Sequence, residues 1–311
     1  MNPLIRLKKT TPVLVIAFVL AWFALLPTTQ AVVPPPDGGY PGFNTAKGTK
    51  ALFSLTTGSA NTAVGWFSLF SNTVGSFNTA VGAGTLLFNI GDQSGFEGVE
   101  NTAVGAAALL SNGTGSDNTA VGVAALLNNT EGGFNTAIGR QALANNTTGI
   151  SNTANGFNAL YSNTEGNFNT ATGNDALANN TTGESNTAVG FFAMLSNTEG
   201  DANTAVGTDA LLINTEGDDN TAIGAGALAE NTTGSFNTAV GNQTLENNTS
   251  GSFNIALRGG SNLTTGNFNI DIGSDGVAGE SGTIRIGNGC CQSRALSPGF
   301  LAQPLAAQLL L

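Results

Sequence analysis

A 17-residue phrase, repeated almost without interruption, constrains this chain more than any other feature. The copy from Asn118 to Phe134 reads NTAVGVAALLNNTEGGF, and its opening Asn recurs at 44, 61, 78, 101, 118, 135, 152, 169, 186, 203, 220, 237 and 254. Every step is 17 residues except that from 78 to 101, which is 23. A fixed period of this length is the signature of a solenoid, in which one unit stacks on the next and length is gained by adding units.

Within the unit, positions 1 to 5 read Asn, Thr, Ala, Val or Ile, and Gly; position 9 is Leu, or Met at 194, and positions 12 and 15 are mostly Asn and Gly. Alternation over Thr-Ala-Val puts Thr62 and Val64 on one face of a strand and Ala63 on the other. A strand of four or five residues fits between Asn and Gly. Positions 6 to 11, Val123 to Asn128 in the reference copy, have better helix than strand propensity, which suggests a short helical or 3₁₀ turn. Asn129 would end that turn in the left-handed region.

The expected core is Val121, the methyl of Thr119, Ala125 and Leu126, with Gly122 and Gly132 at corners. These few groups cannot offset the backbone entropy of about 1–2 kcal/mol for each ordered residue, so the coils must stack. Strands then pair at about 4.8 Å, and the Asn118 column forms a side-chain ladder. The predicted architecture is therefore all-β: a parallel β-solenoid or β-roll of about 14 coils with short strands and short helical turns, on the order of 70 Å long.

Several places depart from the pattern. Lys47 replaces Val in the first coil, as an atypical capping unit would tolerate. Residues 90–100 carry six extra residues, expected to bulge from one coil. Asn155 and Thr172 occupy the Val position in adjacent coils, either as a bonded polar pair or as a soft spot. From Asn254 the coils shorten to 15 and then 14 residues, with strands NIAL, NIDIG and TIRIG.

Outside the array, residues 1–31 have the charged start (Arg6, Lys8, Lys9) and 14-residue apolar run (Val13 to Leu26) of a secretory signal, with cleavage expected after Ala31. Residues 32–43 form a Pro/Gly linker, residues 44–288 the solenoid, and residues 289–311 an irregular tail that reads as a truncated or frameshifted end. Cys290 and Cys291 lie in that tail, as two free thiols or one intermolecular bridge. No transmembrane anchor is expected once the signal is removed.

Composition excludes whole classes of chemistry. The chain has 9 basic and 20 acidic residues and no His, for a net charge of −11. Arg140 is the sole basic residue between Asn61 and Phe253. Such a surface cannot neutralise phosphates, so nucleic acid is rejected as a partner. Without His there is no Ser-His-Asp or Cys-His arrangement and no Cys/His metal site. The carboxylates recur at position 14 (Glu131, Glu165, Glu199, Glu216) and positions 16–17 (Asp201, Asp218, Asp219), which reads as a solvated stripe, not a paired-acid site. The expectation is a non-enzyme with no catalytic, cofactor or metal residues. Phe at position 17 (Phe77, Phe134, Phe168, Phe236, Phe253) reads as corner packing, or else as an exposed contact to a partner.

The NTAVGxxALxxNTxG units, with the shorter NIDIG and TIRIG units near the end, resemble the head repeats of trimeric autotransporter adhesins of the YadA-like, hemagglutinin-repeat kind, over roughly Asn44 to Asn288. The resemblance implies a homotrimer of β-rolls on a bacterial surface that binds extracellular matrix, surface polysaccharide or another cell-surface ligand. The chain departs from that family in its longer period and in lacking a coiled-coil stalk, a membrane β-barrel and a chaperone domain. The function expected is a secreted or cell-surface adhesive or structural protein. The alternative is an ice- or polysaccharide-binding solenoid, distinguished by whether the Thr row at position 2 or position 13 lies outward on a flat face.

Overall fold

The computed structural model describes residues 40–91 and 96–287. The expected signal, residues 32–39 of the linker, Cys290, Cys291 and the tail lie outside these residues. Fifteen strands, numbered β1 to β15 in chain order, form one parallel sheet in which each pairs with the next. They run from β1 (Thr45–Lys47) to β15 (Ile284–Ile286), and each is three residues long, shorter than the sequence suggested. Register is preserved from coil to coil: Thr119, Ala120 and Val121 pair with Thr136, Ala137 and Ile138. The β-solenoid with its 17-residue period is thus as expected.

The long step does not disturb it. β3 (Thr79–Val81) and β4 (Thr102–Val104) pair Thr79 with Thr102 and Val81 with Val104. Gly98 closes that coil as the position 15 glycines close the others, its carbonyl accepting from Asn78 and Asn89. The additional residues therefore enter between Gly91 and Gly98, away from the strand.

The core differs from the expected one. Ala120 is fully buried, whereas Val121 is 38% exposed and Thr119 half-buried on the outer face. From the coil opened by Asn61 to that opened by Asn237, the interior holds an Ala from the strand and the position 9 Leu, or Met194, together with position 8 Ala in most coils and two Asn side chains. A 17-residue loop encloses too little space for a β-branched side chain opposite Leu126, so only a methyl fits at position 3. Val and Thr occupy the outer side of the pleat, where branched side chains are favoured. Lys47 is accordingly exposed, with no core position to disturb, and Asn155 also faces outward. Asn155 and Thr172 are register partners on that outer face, so they do not weaken the core.

Two buried Asn columns tie the coils together. At position 1, Asn118 Oδ1 accepts the backbone N–H of Asn135 at 3.0 Å. At position 12, Asn129 Nδ2 donates to Asn112 Oδ1 at 2.8 Å. Both columns also meet within each coil: Asn118 Nδ2 and Asn129 Nδ2 donate to the same carbonyl, Gly132 O, each at 2.8 Å. A Cβ on Gly132 would lie 2.5 Å from Asn129 Oδ1 and Asn146 Nδ2, so this glycine serves close approach. The position 12 column is bounded by Leu55 in the first coil and Leu263 in the coil opened by Asn254. Asn248 Oδ1, which faces the Leu263 coil, is left without a hydrogen-bond partner.

The expected helical turn is absent, and no helix occurs among the described residues. Positive φ falls at Ala124 (58°), Leu126 (50°) and Phe134 (59°), not at Asn129. These conformations are costly for non-glycine residues, at about 1–2 kcal/mol each. They aim the backbone along the stack: Ala124 N–H donates to Ala106 O in the preceding coil and Leu126 N–H to Ala142 O in the following one, both at 3.0 Å. A helix would have consumed those donors within one coil and left its neighbours unsatisfied.

Replacing Asn180 with Leu would test the inner column. Asn180 Nδ2 donates to Asn163 Oδ1 at 2.8 Å, and Asn180 Oδ1 accepts from Asn197 Nδ2 at 2.9 Å. The substitution strands Asn163 Oδ1 in the interior, at roughly 1–3 kcal/mol for each unsatisfied group. Urea unfolding should show a loss of about that size, against about 0.5 kcal/mol or less for Thr170→Val on the outer face. Equal losses would contradict the ladder's role.

Candidate functional site on the outer sheet face

The outer face presents chemistry in columns, because every strand repeats its predecessor in register. Position 2 is Thr in each strand from Thr45 to Thr238, and position 4 is mostly Val or Ile. Val81, Val104, Val189 and Val206 are each 37% exposed, and Ile138 and Ile223 are 42% exposed. The columns therefore form a regular array of hydroxyl and methyl groups repeating at about 4.8 Å along the stack.

The two Thr rows differ in their freedom to bind. At position 13, Thr130 Oγ1 donates to Thr147 O at 3.0 Å, and the pattern recurs from Thr147 to Thr249. That row is committed to the stack. The position 2 hydroxyls make no hydrogen bond among the described residues and remain available to a ligand.

The acidic residues are partly structural, which the sequence reading did not anticipate. Asp201 Oδ1 accepts the backbone N–H of Glu184 at 2.6 Å, and Asp218 Oδ1 accepts that of Asp201 at 2.8 Å. Ser76, Asn167 and Ser252 fill the same role at position 16 elsewhere. The recurrence of short oxygen-bearing side chains at position 16 was the available signal. Glu131, Glu165, Glu199, Glu216 and Asp219 are exposed. Among the described residues no group of three or more His, Cys, Asp or Glu side chains is placed to hold a metal ion.

The position 17 Phe side chains are exposed at the corner, not packed: Phe77 61%, Phe134 65% and Phe168 58%. Phe236, Phe253 and Phe268 stack face to face, with ring centroids 4.8 and 4.9 Å apart. Arg140, the isolated cation of the central array, lies over the ring of Phe157 at 5.6 Å.

Near the C-terminal end an open groove of about 620 Å³ is lined by Glu230, Asn247, Asn262 and Val277, among others. The Asn247 amide already donates to Ser261 O. In β14 (Ile270–Ile272) the column that is Ala from β1 to β13 becomes Asp271, which is 1% exposed with neither carboxylate oxygen hydrogen-bonded. Its register partner is Arg285, which is held instead by Glu280 in a 2.6 Å ion pair. Burial, and then the charge of Glu280, push the Asp271 carboxyl from an ordinary 3.8 up to about 6; Asp275 adds to the rise and Arg285 opposes it. The hydrogen bond from Arg285 holds Glu280 below its usual range.

No family model, curated protein or solved structure matches this chain.

The raised Asp271 carboxyl makes the last coils pH-sensitive. Its neutral form favours the folded state, so its contribution is complete below pH 3.8 and is lost as pH rises through about 6. Glu280 acts oppositely, its contribution fading only as pH falls through its lowered value. Amide exchange in β13 (Ile255–Leu257) to β15, corrected for intrinsic rates, should show stability falling between pH 5 and pH 7, on either side of the Asp271 value of about 6. Asp271→Asn should abolish that fall, and a fall that persists in the variant would assign it elsewhere.

Proposed function

We propose that this protein is a secreted or cell-surface adhesive or structural repeat protein of bacterial type, acting as a homotrimer of solenoids in the manner of the YadA-like heads it resembles. The observation that carries this reading is the outer face, where identical unbonded hydroxyls and half-exposed methyls recur coil after coil. Each contact on such a face is weak, but a repetitive ligand engages many at once and gains avidity. Extracellular matrix proteins and surface polysaccharides are repetitive partners of this kind. No enzymatic activity is part of this proposal.

A second reading is favoured by one specific observation, the free position 2 hydroxyls. Thr columns spaced by the strand repeat, with methyl columns beside them, suit an ordered lattice such as ice or a crystalline polysaccharide. Of the two Thr rows, the unbonded one at position 2 is the candidate for this alternative.

Surface-coupled full-length protein should bind immobilised matrix proteins or surface polysaccharides saturably. Thr136→Lys, Thr153→Lys and Thr170→Lys together should weaken that binding at least about tenfold by interrupting the array, with folding unchanged by circular dichroism. Absence of binding to every such ligand would remove the adhesive reading. Thermal hysteresis abolished by the same three substitutions would favour the ice reading instead.

A further inference from the structure

The outer face is not uniform along the stack, and its change at the C-terminal end has the character of a contact surface. Over most of the array the position 2 column is Thr, but in β13, β14 and β15 it becomes Ile255, Ile270 and Ile284. The position 4 column becomes Leu257, Ile272 and Ile286, which are 41%, 38% and 61% exposed. The corner column beside them is the stacked Phe236, Phe253 and Phe268, at 49%, 46% and 63% exposure. Position 4 is apolar along most of the array and Phe recurs at position 17, but among the described residues only here does position 2 turn apolar as well, so that all three columns are apolar in the coils of β13 and β14.

We propose that this C-terminal patch is the surface through which one copy of the chain associates with another. The proposal rests on the homo-oligomeric reading above, not on the adhesive one, and it confines the contact to these coils where a trimer of parallel rolls would engage the whole array.

Area, charge and order support a second copy as the occupant. With about 150–250 Å² for a whole aromatic side chain, the three Phe offer on the order of 300 Å². The aliphatic columns bring the patch to roughly 700 Å², close to the roughly 800 Å² that each partner contributes to a standard interface. An apolar patch of that size is uncommon on a monomer's surface and marks an interaction site. None of the three columns carries a charged residue in these coils, while the chain as a whole carries −11. Copies that repel elsewhere can approach here on columns that hold no carboxylate. The same net charge disfavours an anionic membrane, which recruits basic segments. The stacked rings are also held in register by the coils beneath them, so little side-chain entropy remains to be lost on binding.

The array itself supplies substitutions that keep the fold. Other coils carry Ser at position 17 (Ser151, Ser185) and Thr at position 2, in the same register. The test compares the full chain with the quadruple variant Phe253→Ser, Ile255→Thr, Phe268→Ser and Ile270→Thr. A central control, Val121→Thr with Ile138→Thr, introduces the residue that the same column already carries at Thr172. Sedimentation equilibrium should show self-association of the wild-type protein and of the control, weakened at least about a hundredfold in the quadruple variant, with identical circular dichroism in all three. A wild-type protein monomeric at every concentration would overturn both the proposal and the oligomeric reading beneath it. Association unchanged in the quadruple variant, or lost in the control, would overturn only the confinement of the contact to the C-terminal coils. Flotation of the wild-type protein with vesicles of neutral or anionic lipid, abolished in the quadruple variant, would assign the patch to a membrane and overturn the proposal.

Discussion

From the coil opened by Asn61 to that opened by Asn237, each coil is closed by one shared acceptor, the carbonyl of its position 15 glycine. In the reference coil Gly132 O receives Nδ2 from Asn118 and from Asn129, which reach it from opposite ends of the chain path. The amide oxygens left over then point along the stack, where Asn118 Oδ1 accepts from the next backbone and Asn129 Oδ1 from the next amide. One residue type thus closes the coil laterally and joins it axially. Buried polar groups of this kind are costly unless every member is satisfied, and that requirement makes the register unforgiving. A slip of one residue would strand both columns at once.

The thin interior follows from the same arrangement. With two amides and one Leu inside, only Ala fits from the strand, and all other branched side chains are driven outward. The outer face then becomes free to vary without disturbing the core: Lys47, Asn155, Thr172 and Ile272 all occupy the same column. Repetition makes that face a regular array over most of its length. Substitution makes it an apolar patch at the C-terminal end. There the inner column also changes, to Asp271 and Arg285, where the position 12 ladder has already stopped at Leu263.

Much of this was legible in the sequence. Period, parallel pairing and the position 1 ladder follow from recurrence of Asn at 17-residue intervals. Hydrophobicity alone places Val121 in the core, but the interior's volume admits only the methyl of Ala120. Within the chain itself, position 3 stays Ala from Ala46 to Ala256 while position 4 admits Lys47 and Asn155, which is how an interior and an exterior column differ. Asn129 reads as a turn residue because Asn is common in turns; its ladder role depends on the coil above and below, which local propensity does not see. The left-handed Leu126 was unreadable for a similar reason. Its conformation is unfavourable locally and is stabilised only by bonds to adjacent coils.

The most direct test of the two-ladder core is hydrogen exchange of the Asn side-chain amides, followed by nuclear magnetic resonance. The amides of Asn163, Asn180 and Asn197 are fully buried and doubly bonded, whereas that of Asn179 is exposed one position away. The account predicts protection of the first three by many orders of magnitude, limited by opening of the stack, with Asn179 exchanging near the free rate. Rapid exchange at Asn163, Asn180 and Asn197 would contradict it.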